Sequence, residues 1–413
     1  MFLSGAASAR ELLGLRHASK SGFQQIEGLS RASGLSSSNW RYPLYLGGLQ
    51  ARMGQSKLAL DSYLEATRRF PACGPCWVGV AETRLALGQD PLPALSSAIG
   101  HGRSRTSVRT RAAVIYSKLG LDEPAAEEFS AALGGRRTDR GEFYSLLNRL
   151  YAPDYVLDRI ITDAELETYL PFAQRVLSPA LVARVWERYE KRQHQDGEQR
   201  ERYVRYLLNR GMAHDAWSVA FGSAASPHGT VLNGDFERRS EAEPLGWRVS
   251  DGEGVRAAVV GCSDCRSGSR ALRLRFDGEH NVHYFGVSQS LPVAPGATYS
   301  LTARVKHSEI TSAAGPQLLV LGLGDKTDAR WPVCEMWSAS EPFLRDQDWH
   351  DIAIEFTVPS TCEGVRIFVA RRRTDRLSRL IGGELWVDDV FLTVRPVQEP
   401  SQHTGRRTPA AAS

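Results

Sequence analysis

Residues 45–71 read YLGGLQARMGQSKLALDSYLEATRRFP, and the spacing of their small residues decides the fold of the first half. Leu46-Gly47, Gly54, Ala59, Tyr63, Ala66 and Pro71 fall where two antiparallel helices joined by a turn require them. Gly47 and Ala59 stand where the helices touch, so that the backbones can approach. Gly54 makes the turn. Tyr63 and Ala66 face the next hairpin. Pro71 stops the second helix, because it lacks an N–H and its ring clashes with the preceding turn.

The pattern recurs. Trp77 and Gly88 begin a second unit, 34 residues from Gly54 to Gly88, whose second helix keeps Ala94 and Ala98. A third unit has Tyr116, Gly120, Ala125, Phe129 and Ala132, with its turn glycine 32 residues on. Over Trp40 to Leu133 the chain resembles the tetratricopeptide repeat, a helix–turn–helix unit of about 34 residues. Helices continue from Gly141 to Gly222. Leu181, Val182, Val185, Trp186 and Tyr189 form one apolar stripe, and Tyr203, Val204, Leu207 and Leu208 another. Gly211, Ala216 and Ala220 repeat the turn and small-residue pattern. The resemblance implies an α-solenoid over residues 39–222 that binds a protein or peptide partner in a concave groove, or else serves as a spacer.

Residues 222–229, GSAASPHG, read as a linker, which we set at 223–229. Beyond it the hydrophobic period changes from 3.6 to 2. Ala271 to Phe276, Tyr299 to Val305, Ile352 to Phe356, Val365 to Val369 and Leu385 to Asp389 alternate. Pro295-Gly296, Gly322 to Asp325 and Gly382-Gly383 punctuate them. About nine or ten short strands argue for an antiparallel β-sandwich. The fold class is therefore multidomain α + β, an α-solenoid followed by a sandwich at residues 230–396. Residues 1–38 form a flexible N-terminal segment and residues 397–413 a disordered tail.

Asn233-Gly234-Asp235-Phe236-Glu237, Gly246-Trp247 and Ser267 to Leu274 resemble the opening of CenC-type carbohydrate-binding modules. Val287 to Val293, Pro295 to Tyr299 and Trp386 to Val390 match the middle and end. The resemblance implies a galactose-binding-like jelly roll that holds a polysaccharide in a groove without catalysis. Trp247, Trp386 and Trp349 are expected in the core. Tyr284, Trp331 and Trp337 are the candidate sugar-stacking residues, because an aromatic face matches the apolar C–H face of a pyranose. The competing reading is that these three pack inside the sandwich. Modules of this type often join their first and last strands through calcium. Asp235, Glu237, Asp388 and Asp389 are the candidate ligands for a structural Ca²⁺, a hard cation that takes oxygen donors. The alternative is a solvated or hydrogen-bonded acidic group.

The six cysteines fall as Cys73/Cys76, Cys262/Cys265 and Cys334/Cys362, a pattern that fits disulfides in an oxidising compartment. Cys73-Gly74-Pro75-Cys76 resembles a thioredoxin redox loop but joins two helices rather than following a strand. The two close pairs lie 185 residues apart, unlike a compact zinc ribbon. No phosphate-binding loop, nucleophile elbow or His-Glu-x-x-His sequence is present, so no enzyme is expected. Asp388 and Asp389, as strand neighbours, point to opposite faces and would not flank one glycosidic bond.

The charge is close to balance, 51 basic against 47 acidic residues, which argues against a nucleic-acid partner. Up to His228 there are 29 basic and 23 acidic residues, and beyond it 22 and 24. No apolar run approaches the ~18 residues of a membrane-spanning helix. Ala7-Ser8-Ala9 has the form of a signal-peptidase site with too little chain before it. Either it belongs to a tail, or translation starts upstream with an export signal. The expected role is carbohydrate binding combined with protein interaction in bacterial exopolysaccharide or envelope assembly. A pure protein scaffold, or a glycan-processing enzyme with an unrecognised site, competes with it.

Overall fold

The computed structural model describes residues 23–102, 104–135, 139–192, 197–222, 230–238, 244–265, 267–324 and 333–395. The expected flexible residues 1–22, the linker 223–229 and the tail 397–413 lie outside the described residues. The chain divides into two compact units, Met1–His194 and Gln195–Ser413.

The first unit is helical. It begins with α1 (Phe23–Leu35), followed by the hairpins α2 (Arg41–Arg52) with α3 (Ser56–Arg69), α4 (Gly74–Ala86) with α5 (Leu92–Gly102), and α6 (Thr106–Lys118) with α7 (Asp122–Leu133). The turn glycines Gly54, Gly88 and Gly120 have φ of 75°, 70° and 72°, a left-handed conformation that glycine adopts without steric cost. The repeat is therefore carried by one recurring backbone turn. A Cβ at Gly47 would stand 2.9 Å from the Tyr63 ring, and one at Gly79 only 2.5 Å from it. Tyr63 thus fills the space between its own hairpin and the next. Helix α1 packs Leu29 and Ala32 on Tyr42 and Leu46. Folded structure therefore begins by residue 23, ahead of the expected start at 39, because this apolar pair has a helix to bury against.

Helices α8 (Arg140–Leu150), α9 (Pro153–Tyr155), α10 (Leu166–Val176) and α11 (Pro179–Glu190) complete the unit, with a π-turn at Val156–Ile160 and a 3₁₀ turn at Asp163–Glu165. Glu165 is buried and accepts hydrogen bonds from Arg140 at 3.1 Å and Tyr144 Oη at 3.2 Å. A buried carboxylate needs such partners to stay charged.

The second unit opens with a helical hairpin, α12 (Gly197–Asn209) and α13 (Ala213–Phe221), turning at Gly211 with φ 81°. The solenoid was expected to run to residue 222. Instead this hairpin belongs with the sandwich. Ala213 sits so close to Gly364 that a Cβ there would be 2.5 Å from the alanine's own. His214 Nε2 lies 3.0 Å from the Val293 carbonyl oxygen, and Arg366 Nη2 donates to the Leu208 carbonyl at 3.3 Å. An apolar stripe fixes that a helix is buried, not on what, and here the partner is a sheet.

Nine strands follow among the described residues: β1 (Val255–Gly261), β2 (Arg270–Asp277), β3 (Tyr284–Pro292), β4 (Thr298–Ser308), β5 (Gln317–Leu323), β6 (Val333–Ala339), β7 (Gln347–Thr357), β8 (Gly364–Arg371) and β9 (Gly382–Arg395). They form a five-stranded sheet, β1-β2-β9-β4-β7, and a four-stranded sheet, β3-β8-β5-β6. All pairings are antiparallel. The core between the sheets holds Phe236, Trp247, Leu274, Val287, Tyr299, Val320, Ile367 and Val387 among others. Arg371 is buried at the end of β8 and donates to the carbonyls of Val282, Ala314 and Arg379 at 2.5, 3.1 and 2.9 Å, tying three loops together.

Candidate functional site

The candidate platform is the outward face of the four-stranded sheet, where Ser288, Ser290, Leu319, Phe368 and Ala370 are buried and the Trp337 end is exposed. Alternation along β8 sends Val365, Ile367 and Val369 inward and leaves Arg366, Phe368 and Ala370 on the other side. The register then lines up two cross-strand rows. Ser290, Arg366, Leu321 and Trp337 form one, and Ser288, Phe368, Leu319 and Ala339 the other. Four strands at the usual spacing make each row ~14 Å long. Phe285 meets Phe368 edge-on, with ring centroids 5.6 Å apart. Leu319, Phe368 and Ala370 form a small apolar cluster of their own, outside the main core.

Trp337 ends its row on β6 with 64% of its surface exposed. The Arg372 guanidinium stands 5.3 Å from its ring centre. An exposed, oriented indole with a guanidinium beside it suits a sugar. The ring takes the C–H face, and the guanidinium takes hydroxyls.

Tyr284 is not part of this platform. It is buried in the core, and its hydroxyl donates to the Ser250 carbonyl at 2.6 Å. Burial pushes its pKa up. The register of β3 shifts between Tyr284 and Val287, and adjacent strand residues face opposite ways. The outward aromatic is Phe285, its neighbour, which the sequence reading passed over. A Cβ at Gly286 would stand 2.5 Å from the Tyr284 ring, and that glycine was the available sign of an irregularity. Trp331 lies outside the described residues.

Trp247 is in the core as expected, but Trp386 and Trp349 are not. Both are half-buried on strands of the five-stranded sheet. Arg273 lies 5.3 Å over Trp386. The charges there are paired: Lys306 bonds Asp264 at 2.5 Å, Arg304 reaches Asp351 at 3.3 Å, and Arg275 reaches Glu384 at 3.7 Å.

Asp235, Glu237, Asp388 and Asp389 do come together. Asp388 is buried on β9, and its carboxyl is raised to about 7 by burial and by repulsion from Asp389, Glu237 and Asp235. Gly234 makes the approach possible: its carbonyl accepts from Val390 N at 2.9 Å, and a Cβ there would collide with the Val390 carbonyl. Asp389 has φ 48° at a register shift of β9 against β4, so simple alternation does not separate Asp388 from Asp389. Glu237 accepts from Ser269 N and Arg270 N at 2.7 and 2.8 Å, and these bonds lower its pKa. Asp389 accepts from Ser267 Oγ. The donor chemistry suits Ca²⁺, but two carboxylates are already committed to protein donors. Among the described residues no group of three or more His, Cys, Asp or Glu stands in metal-holding geometry.

All six cysteines are paired, Cys73–Cys76, Cys262–Cys265 and Cys334–Cys362, with Cα separations of 5.2, 5.6 and 5.5 Å. Cys73 caps α4, and its sulfur accepts from Cys76 N. Cys334–Cys362 lies in the sandwich core against Gly322, where a Cβ would be 2.2 Å from the Cys334 sulfur. The helical unit has a groove of about 1380 Å³ beside α6 and α8, lined by Arg105, Thr110, Arg111, Phe143 and Arg149 among others.

No curated protein matches the chain. Similar solved structures include the MamA protein, 11% identical over 46% of this chain and 93% of that one, with a TM-score of 0.32. A family 4 carbohydrate-binding module is 18% identical over 40% of this chain and 100% of its own, with a TM-score of 0.27. A family 16 carbohydrate-binding module is 17% identical over 40% of this chain and 98% of its own, with a TM-score of 0.27. Residues 228–375 match the family model described as a carbohydrate binding domain, on a chain whose first unit is a tetratricopeptide-like helical array.

Proposed function

We propose that the protein is a non-catalytic glycan-binding adaptor of the bacterial cell envelope or exopolysaccharide machinery. The outward face of the four-stranded sheet takes the sugar, and the helical unit takes a protein or peptide partner. One observation carries the sugar assignment: Trp337, 64% exposed, ends a row that also holds Arg366 and Ser290. The match at 228–375 supports it independently. The groove beside α6 and α8 supports the partner assignment. Six paired cysteines support export, since disulfides persist in oxidising compartments.

Native electrophoresis of the full chain through gels cast with single polysaccharides tests the sugar assignment. Retardation by at least one polymer, without release of reducing ends, is expected. Migration unchanged in every polymer of a broad set overturns it.

A structural Ca²⁺ joining residues 233–238 to β9 belongs to the same proposal, supported by the proximity of Asp235, Glu237 and Asp389 to Asp388; the four carboxylates would have to close up to ligate it. Millimolar Ca²⁺ is expected to raise the thermal midpoint of the wild type but not of Asp388→Asn. An unchanged wild-type midpoint removes the ion.

A further inference from the structure

One cavity of the second unit is not centred on the platform. It has a volume of about 910 Å³ and opens between the end of α12, the segment 244–249 and the edges of both sheets. Four arginines line it, Arg205, Arg248, Arg270 and Arg366, with Trp247 at its wall. No aspartate or glutamate is among the described lining residues. Such a clustering of like charge in a cleft is costly unless an anion shares it.

The individual arginines point the same way. Arg366 donates from Nε to Ser290 Oγ at 2.7 Å and from Nη2 to the Leu208 carbonyl at 3.3 Å. Those bonds fix its guanidinium and leave further N–H donors of its five. Burial, and then repulsion from Arg248, lowers its pKa. Arg248 forms no ion pair among the described residues and is held by backbone pairing with Ser288. The Nε of Arg270 is buried with no hydrogen-bond partner among the described residues. Among the described residues Arg205 has only an exposed helical partner, Glu201, at 3.3 Å.

We propose that this cavity binds an oxyanion carried on the glycan, a carboxylate or a sulfate ester, and so makes the protein selective for acidic polysaccharides. The proposal rests on the platform reading, because Ser290 and Arg366 belong both to the platform row and to the cavity wall. A chain lying along the row meets the arginines at its end. Arg205 and Leu208 come from α12, outside the matched residues 228–375, so the helical hairpin adds to the sandwich a wall of its own.

The test uses the full chain with two oligosaccharide probes, oligogalacturonate and its fully methyl-esterified form, titrated into wild type, Arg248→Ala and Arg248→Lys. Wild type is expected to bind the acid form about tenfold tighter than the ester at low salt, a preference shrinking as salt rises. Arg248→Ala should bind both forms alike, with ester affinity unchanged, and Arg248→Lys should recover part of the preference. Equal binding of both forms by wild type, or an undiminished preference in Arg248→Ala, overturns the proposal.

Free glucuronate separates the cavity from the platform. If it raises the thermal midpoint of wild type but not of Arg248→Ala while neither oligosaccharide binds, the cavity stands on its own, and the platform falls only if the gel set of polysaccharides also shows no retardation. If it shifts neither and no acid preference appears, the cavity assignment falls. Glucose 6-sulfate in the same assay distinguishes a sulfate site from a carboxylate site: a larger shift than glucuronate's, also lost in Arg248→Ala, assigns the ester.

Discussion

The two outward faces of the sandwich carry the same pair of groups to different effect. Each holds a tryptophan with an arginine 5.3 Å from its ring, Trp337 under Arg372 and Trp386 under Arg273. Around Trp386 the charges pair with one another across strands β2, β4, β7 and β9, although Arg304 Nε and Nη1 and Trp349 Nε1 have no hydrogen-bond partner among the described residues. Around Trp337 the two rows hold leucine, phenylalanine and serine with the guanidiniums of Arg366 and Arg372, and the indole is mostly exposed. An aromatic–arginine pair is thus not a ligand signature by itself. What distinguishes the faces is how far the indole is exposed, 64% at Trp337 against a half-buried Trp386.

The largest expected effect separates the sheets by covalent anchoring. Cys334–Cys362 closes a 28-residue separation and anchors β6, three residues before Trp337. Replacing both cysteines by serine should cost about 3–4 kcal/mol in urea unfolding on chain-entropy grounds and weaken glycan retardation. The same change at Cys262 and Cys265, separated by three positions beside the five-stranded sheet, should cost about 2 kcal/mol and leave retardation intact. Equal effects on binding would erase the distinction between the faces.

The acidic seam gives the next effect. Asp388 titrates at about 7 when folded, above the ordinary value of about 3.9 for an unfolded aspartate. The native state therefore holds an extra proton between those values, and the stability from this group is lost as pH rises from about 4 through 7. In a chelating buffer, wild type should be less stable at pH 8 than at pH 5 by an amount on the order of 2 kcal/mol from this group. Asp388→Asn, whose amide oxygen can still accept from Asp389 N, should flatten that slope. An identical slope in both proteins would show that Asp388 is ionised throughout.

The smallest effect belongs to the paired face. Lys306→Ala removes contacts to Asp264 and Asp348, both at least half exposed, and should cost less than about 1 kcal/mol. A loss of several kcal/mol would mean that this face is a stiff network rather than a screened one.

The helical unit was the more legible half. Gly54, Gly88 and Gly120 could be read as turns because a hairpin repeat places its special backbone conformation at a fixed spacing. Gly79, which admits the Tyr63 ring, is equally local in cause. The sandwich was legible as a set of strands but not as faces. Tyr284 and Phe285 exchange roles around one irregularity beside Gly286, and a single-residue shift inverts a strand. The row from Ser290 to Trp337 joins residues far apart in sequence, and no alternation pattern states which strands pair. The acidic motif could be read as converging only through the family resemblance, since nothing in its spacing joins the two ends of the domain. How its carboxylates are used, Glu237 on a turn and Asp388 buried, depends on contacts that the motif does not encode. The hairpin α12–α13 was legible as helix and misplaced as domain, since its apolar stripe suits a sheet as well as another repeat.

The most direct test of the platform compares full-length wild type, Trp337→Ala and Trp386→Ala in polysaccharide gels, with thermal midpoints recorded for each. Trp337→Ala should lose about thirtyfold in affinity, the scale of a binding hot spot, with its midpoint unchanged. Trp386→Ala should bind as wild type. Binding retained by Trp337→Ala and lost by Trp386→Ala would place the sugar on the other sheet and contradict the account.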